Sequence, residues 1–238
     1  MTLNIMGLGL GLNSVSLESL EIIKKSKKVF LEIYTVDFPY KIQDLEKFLE
    51  VKLEKLDRQK VEDEHILKEA KNDEISLLVY GDPLSATTHH QLILSCKKQK
   101  IPFKIYHNSS VITAIAETGL SLYKFGKISS MPSWTKSYQP KSFINYIKEN
   151  QKIKAHSLLL VDIGLDFQEA LKQLEISSNE NNLELKEIIV CSQIGTENQQ
   201  IIFKKIQDLE KIQDVKKPFC FVIPSEMHFI EEGYLNNL

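Results

Sequence analysis

Gly81-Asp82-Pro83-Leu84-Ser85-Ala86-Thr87-Thr88-His89 follows an apolar run at residues 75–80 and leads into a helical stripe at residues 88–98. The run reads as a strand, and Gly-Asp-Pro stops it abruptly. In an open α/β sheet, ligands bind beyond the carboxyl ends of the strands. Asp82 at such an end is an exposed acceptor for hydroxyl or ammonium donors. The alternative is a plain turn in which Asp82 caps the backbone.

Short apolar runs and helical stripes alternate on either side of this segment. Strands are expected at residues 3–6, 28–32, 51–56 and 103–107, and helices at 17–25, 42–49, 62–71 and 110–117. Such a rhythm calls for a mostly parallel sheet with helices on its faces. The first half therefore reads as one α/β domain, residues 1–108. The second, residues 109–238, reads as an α/β domain with a mixed sheet. Strands are expected there at 125–131, 157–162, 187–191 and 219–223, and helices at 141–150, 166–175 and 198–209. The polar stretch 177–183 reads as a mobile loop, and the tail from Met227 as short.

The chain has 238 residues, with 42% hydrophobic and 26% charged, ordinary values for a globular protein. Its net charge of -2 provides no global basic field for a nucleic-acid backbone. Cys96, Cys191 and Cys220 are widely spaced and odd in number, which is neither a disulfide framework nor a zinc spacing. Cys191 and Cys220 sit in apolar stretches and read as buried free thiols. The opening residues show no basic leader and no cleavage site, and no apolar run spans a bilayer. The expectation is a soluble, cytoplasmic protein without a membrane or direct nucleic-acid partner.

Three other features are candidates for chemistry. Gly7-Leu8-Gly9-Leu10-Gly11 follows the first strand but lacks the third glycine of a dinucleotide fingerprint, because position 12 is Leu. It reads as a turn where backbone comes close to a ligand or to another segment. His89 and His90 project about 100° apart on a helix and cannot share a metal. With no HxxxH, HExxH or Gly-x-Ser-x-Gly present, no metal is expected. The segment 131–140 holds Trp134 and Tyr138 between two prolines. It is either an aromatic substrate loop or a crossing segment that packs its rings.

Together these segments resemble the diphthine synthases, within the tetrapyrrole-methylase-like class of methyltransferases. The resemblance runs along nearly the whole chain. It includes residues 5–10, Phe30-Leu31-Glu32-Ile33-Tyr34-Thr35, Asp57-Arg58, residues 81–89 and His107-Asn108-Ser109-Ser110-Val111. Further on it includes Thr118-Gly119-Leu120, Leu122-Tyr123-Lys124-Phe125-Gly126, Pro132-Ser133-Trp134-Thr135 and residues 156–162. Gly-Asp-Pro is shared by the wider class, whereas Ala-Thr-Thr-His and Tyr-Lys-Phe-Gly point to the diphthine synthases.

The resemblance implies a two-domain α/β fold with S-adenosyl-L-methionine in the inter-domain cleft, a homodimer, and no metal. It implies methylation of a 3-amino-3-carboxypropyl-histidine on translation elongation factor 2. Carried over by position, the cofactor residues are Leu10, Asp82, Ser85, Ser110, Val111, Val161, Ile194 and Phe219. Phe219 stands where the family usually has His, Ile194 where a small residue is commoner, and Ser225 where Gly is expected. Methyl transfer from a sulfonium needs alignment more than acid–base help, so no single dominant catalytic residue is expected. Trp134 and Tyr138 are candidates for contacting a permanently cationic product through their ring faces. The competing readings are a methylase of the same class acting on a tetrapyrrole or on ribosomal RNA, and a non-catalytic cofactor-binding module.

Overall fold

The computed structural model describes residues 1–62 and 65–238. Within them the chain divides into two compact units, Met1–Val111 and Ile112–Leu238.

The first unit is built on a five-stranded, all-parallel sheet of β1 (Thr2–Gly7), β2 (Lys28–Glu32), β3 (Glu54–Leu56), β4 (Glu74–Val79) and β5 (Phe103–Tyr106), in the order β3-β2-β4-β1-β5. Its helices are α1 (Leu17–Lys25), α2 (Ile42–Leu49), α3 (Arg58–Glu62), α4 (His65–Ala70) and α5 (His90–Gln99). Successive strand residues point to opposite faces. Leu3, Ile5, Phe30, Leu77 and Val79 pack with Ile66, Leu67, Leu92 and Cys96 of α4 and α5. Met6, Leu31 and Leu78 pack with Ile23, Leu45 and Leu49 of α1 and α2. Helices thus cover both faces, which is why these strands read as continuous apolar runs. Ser16 caps α1 as its side chain accepts the Ser19 N–H at 3.1 Å. The expected helix at 62–71 is seen as α4, and its positions 63 and 64 lie outside the described residues.

The second unit begins within α6 (Val111–Ala114), whose first residue closes the first unit, and continues through a 3-10 turn at Ile115–Thr118. Its sheet runs β6-β7-β10-β8-β9, with β6 (Ser129–Met131), β7 (Ser157–Val161), β8 (Glu187–Ser192), β9 (Gln200–Lys205) and β10 (Phe219–Ile223). Only β6 and β7 pair in parallel. Helices α7 (Ser142–Lys152), α8 (Phe167–Glu180) and α9 (Ile206–Leu209) cover one face, where Phe143, Ile147, Leu171, Leu174 and Leu209 meet Leu159, Val190 and Phe221. Cys191 and Cys220 are register partners on neighbouring strands, and all three cysteines are buried free thiols.

Three expectations fail in this unit. The helix expected at 198–209 is the edge strand β9 followed by the single turn α9. Ile201, Ile202 and Phe203 are β-branched or aromatic, and pairing with β8 outweighs the helical spacing. The expected loop 177–183 is largely the end of α8, because the Ser178 hydroxyl donates to the Leu174 carbonyl at 2.6 Å and so satisfies itself inside the core. The strand expected at 125–131 shrinks to β6 and one isolated bridge between Phe125 and His156. The tail is a further helix, α10 (Phe229–Leu235), with a capping box on His228 and Glu231. No described helix is long and apolar enough to cross a membrane.

Candidate active site at the carboxyl edge of the parallel sheet

In the first unit β1 lies between β4 and β5, so the turns that leave these three strands emerge side by side. They are knitted together by hydrogen bonds. Gly9 and Gly81 exchange both backbone bonds, at 3.1 and 3.0 Å. Gly9 has φ +71, a left-handed backbone that glycine adopts without cost. A Cβ on Gly7 would lie 2.5 Å from the Gly81 carbonyl oxygen, so the β1 turn can approach the β4 turn only without a side chain. The Tyr80 hydroxyl donates to the Leu10 carbonyl at 3.0 Å.

Asp82 sits at the centre of this knot and is 7% exposed, so it is not the exposed acceptor expected from its turn position. Its Oδ1 accepts from the Leu84 N–H at 2.9 Å and the Ser85 hydroxyl at 3.1 Å. Its Oδ2 meets His107 Nδ1 at 2.7 Å and the Asn108 N–H at 3.2 Å. Burial pushes the carboxyl up, but these hydrogen bonds together outweigh it and hold Asp82 below the usual carboxylate range. The carboxylate both caps its own turn and pins the β5 turn.

The rest of the 81–89 segment is held just as tightly. The Pro83 carbonyl accepts from the Thr87 hydroxyl at 2.8 Å and lies 3.0 Å from His89 Nδ1. A carbonyl only accepts, so Nδ1 carries the proton. Burial pushes the His89 imidazole below its ordinary value, and its Nε2 is buried without a hydrogen-bond partner. His90 is exposed, so the two histidines do diverge. Among the described residues, no group of three or more His, Cys, Asp or Glu could hold a metal ion.

Leu10, Asp82, Ser85, Ser110 and Val111 therefore belong to one edge of the first unit. Val161, Ile194 and Phe219 share one end of the second unit's sheet. Val161 ends β7, Phe219 opens the antiparallel β10, and Ile194 follows β8 in a turn. That turn is tied to the approach to β10, with the Gln193 N–H on the Pro218 carbonyl at 2.8 Å and Ser192 Oγ on the Lys216 carbonyl at 2.7 Å. The Phe219 ring packs in the core, 5.7 Å from Phe167 and 5.8 Å from Phe221. Trp134 donates its indole N–H to the Pro140 carbonyl at 3.1 Å, and Lys141 Nζ stands 5.4 Å over its ring. Tyr138 is 63% exposed.

His107 and Asn108 were not singled out by spacing or motif. Asn108 Nδ2 donates to the Gly7 carbonyl at 3.0 Å and to the Ser14 carbonyl at 2.9 Å, while its Oδ1 accepts the Ser109 N–H at 2.8 Å. The sequence signals for these two residues are their place just after the last parallel strand and their membership of the segment 107–111 that shares in the resemblance.

The three edge segments, 7–11, 81–89 and 107–111, carry one carboxylate and no Lys or Arg. One carboxylate without a neighbouring cation suits a cationic sulfonium better than the negative charge of a pyrophosphate.

Residues 2–210 match the model of the Tetrapyrrole (Corrin/Porphyrin) Methylases. A diphthine methyl ester synthase of Dictyostelium discoideum is 36% identical, over 98% of this chain and 97% of that protein. A diphthine synthase of Methanococcus maripaludis is 36% identical, over 97% and 96%. The crystal structure of a putative diphthine synthase from Entamoeba histolytica superposes with a TM-score of 0.90 at 30% identity, covering 99% of this chain and 97% of that one. The chain belongs to the tetrapyrrole methylases, which makes it an S-adenosylmethionine-dependent methyltransferase, and within them to the diphthine synthases.

Proposed function

We propose that this protein transfers methyl groups from S-adenosyl-L-methionine to the amino group of the 3-amino-3-carboxypropyl-histidine of translation elongation factor 2, giving the trimethylated product. The observation that carries the reading is the knotted edge around Asp82, an anion fixed by backbone N–H, hydroxyl and imidazole donors, with no Lys or Arg in the three edge segments. The proposed cofactor residues are Leu10, Asp82, Ser85, Ser110 and Val111 in the first unit and Val161, Ile194 and Phe219 in the second. The cofactor supplies an electrophilic methyl group. With the cofactor bound, the amine lone pair would form the new N–C bond as the C–S bond broke, its electron pair staying on sulfur.

The chain's own residues align the amine and keep the site ordered. An amine lone pair must reach the methyl carbon at about 3–3.5 Å, so a rigid edge is worth more here than a strong acid. Tyr138 offers an open ring for the growing cation, whereas one face of Trp134 already carries Lys141. The protein is proposed to work in the cytoplasm as a homodimer.

The test is tritiated methyl transfer into purified elongation factor 2 carrying the precursor histidine, followed by mass spectrometry of the factor. Three added methyl groups are expected. A fourth would mean that the carboxylate is esterified as well. Transfer into RNA or a corrin precursor instead would overturn the reading, and absence of cofactor binding in calorimetry would favour a non-catalytic interaction module.

A further inference from the structure

The contact between Asp82 and His107 is built as an oriented carboxylate–imidazole pair. Asp82 is an acceptor locked by its other donors, so the proton in the 2.7 Å contact sits on His107 Nδ1. The neutral ring then presents its lone pair on Nε2, at the opposite side. The His107 side chain is 66% exposed, and no protein donor meets Nε2 at hydrogen-bond distance among the described residues. Pinning the β5 turn needs one donor, which Asn or Ser would supply. What His adds is an exposed basic nitrogen whose tautomer is fixed.

The position suits chemistry. His107 directly follows β5 and precedes Ser110 and Val111, on the same edge as Asp82. The titratable and charged groups around it are Asp82 from the β4 turn, Glu18 from α1, and Lys104 and Tyr106 from β5 itself. A carboxylate behind an imidazole orients it and stabilises the imidazolium formed when it takes a proton.

We propose that His107 is a catalytic residue, the general base that removes the proton from the substrate ammonium before each methyl transfer. The inference rests on the amine-methylation reading above. An N–H bond of the ammonium breaks, its electron pair remains on the amine nitrogen, and the proton binds Nε2. The imidazolium, held by Asp82, releases that proton to solvent through its exposed face before the next transfer.

The test compares the full chain with its His107→Gln and His107→Ala variants, from about pH 6.5 to about pH 9.5, a range across which an α-amino group loses its proton unaided. Single-turnover methyl transfer into elongation factor 2 is measured, with calorimetric titration of S-adenosylmethionine alongside. The expected result for His107→Gln is a loss of about 10²–10⁴-fold in rate at neutral pH. Cofactor affinity is unchanged, and the deficit closes as pH rises and the amine deprotonates unaided. A neutral-pH rate close to that of the parent overturns the proposal. So does a deficit that is constant across pH and accompanied by weakened cofactor binding, which is the signature of a pin alone. If the parent chain itself binds cofactor but does not methylate the factor, the functional reading fails, and His107 falls with it.

Discussion

The side-chain amide of Asn108 donates to the main-chain carbonyl of Ser14 at 2.9 Å, across 94 residues of sequence, and to the Gly7 carbonyl at 3.0 Å. One side chain thereby fixes the turn after β5 to the loop that leads from β1 into α1. Asn108→Ala leaves both carbonyls without this donor, at a cost of about 1–3 kcal/mol. For a chain of this size that is a fall in Tm of roughly 2–4 °C per kcal/mol. Thermal unfolding checks the stability, and calorimetry is expected to show weaker binding of S-adenosylmethionine.

Two glycines give opposite outcomes for the same substitution. At Gly7 a Cβ would sit 2.5 Å from the Gly81 carbonyl oxygen and 2.9 Å from Asn108 Cβ, both parts of the knot. Gly7→Ala is expected to destabilise by about 1–3 kcal/mol or more and to lower cofactor affinity. A Cβ at Gly233, inside α10, meets nothing within 4 Å. Gly233→Ala is expected to stabilise by about 0.5–1 kcal/mol, since Ala loses less backbone freedom in a helix. Urea unfolding of the two variants tests both signs.

Glu231 holds the C-terminal helix to the turn at Leu122–Lys124. Its carboxylate accepts from Lys124 Nζ at 2.5 Å, the Ser121 N–H at 2.9 Å and the His228 N–H at 2.8 Å. Burial pushes the carboxyl up, yet these donors prevail and hold it well below the usual glutamate range. A carboxylate depressed in the folded state contributes stability above its unfolded value, about 4.3, and loses it as pH falls towards the folded one. Glu231→Gln is therefore expected to be clearly less stable than the parent at pH 7, with the difference shrinking below about pH 4.3. Urea titrations across that range check the trend. A difference independent of pH would show that the contact is not ionic.

In the segment between Met131 and Pro140, the exposed Tyr138 is expected to matter more than the half-buried Trp134 for holding a cationic product. Tyr138→Ala should slow the last methyl transfer by severalfold, since an exposed cation–π contact is worth about 0.5–1 kcal/mol. Trp134→Ala should act mainly on stability, because the indole N–H closes its own loop on Pro140. The distribution of mono-, di- and trimethylated product by mass spectrometry separates the two. Equal product distributions for Tyr138→Ala and the parent would remove this role.

The sequence by itself determined the alternation of strands and helices in the first unit and the arrest of β4 at Gly81-Asp82-Pro83. Sheets covered on both faces need continuous apolar runs, and strand ends need turn residues, so both are local in the chain. It also determined that Asp82 lies at a carboxyl edge. Only the tertiary structure decided which partners that carboxylate takes. His107 is 25 residues away, and it reaches Asp82 because β5 and β4 flank β1. The same holds for Asn108, Ser14 and Gly7. In the second unit, β9 shows the converse. The residues 200–205 are compatible with either period, and the decision fell to pairing with β8, a long-range contact that spacing does not encode. Local periodicity sets elements. The site depends on strand order, which brings together side chains that the sequence keeps apart.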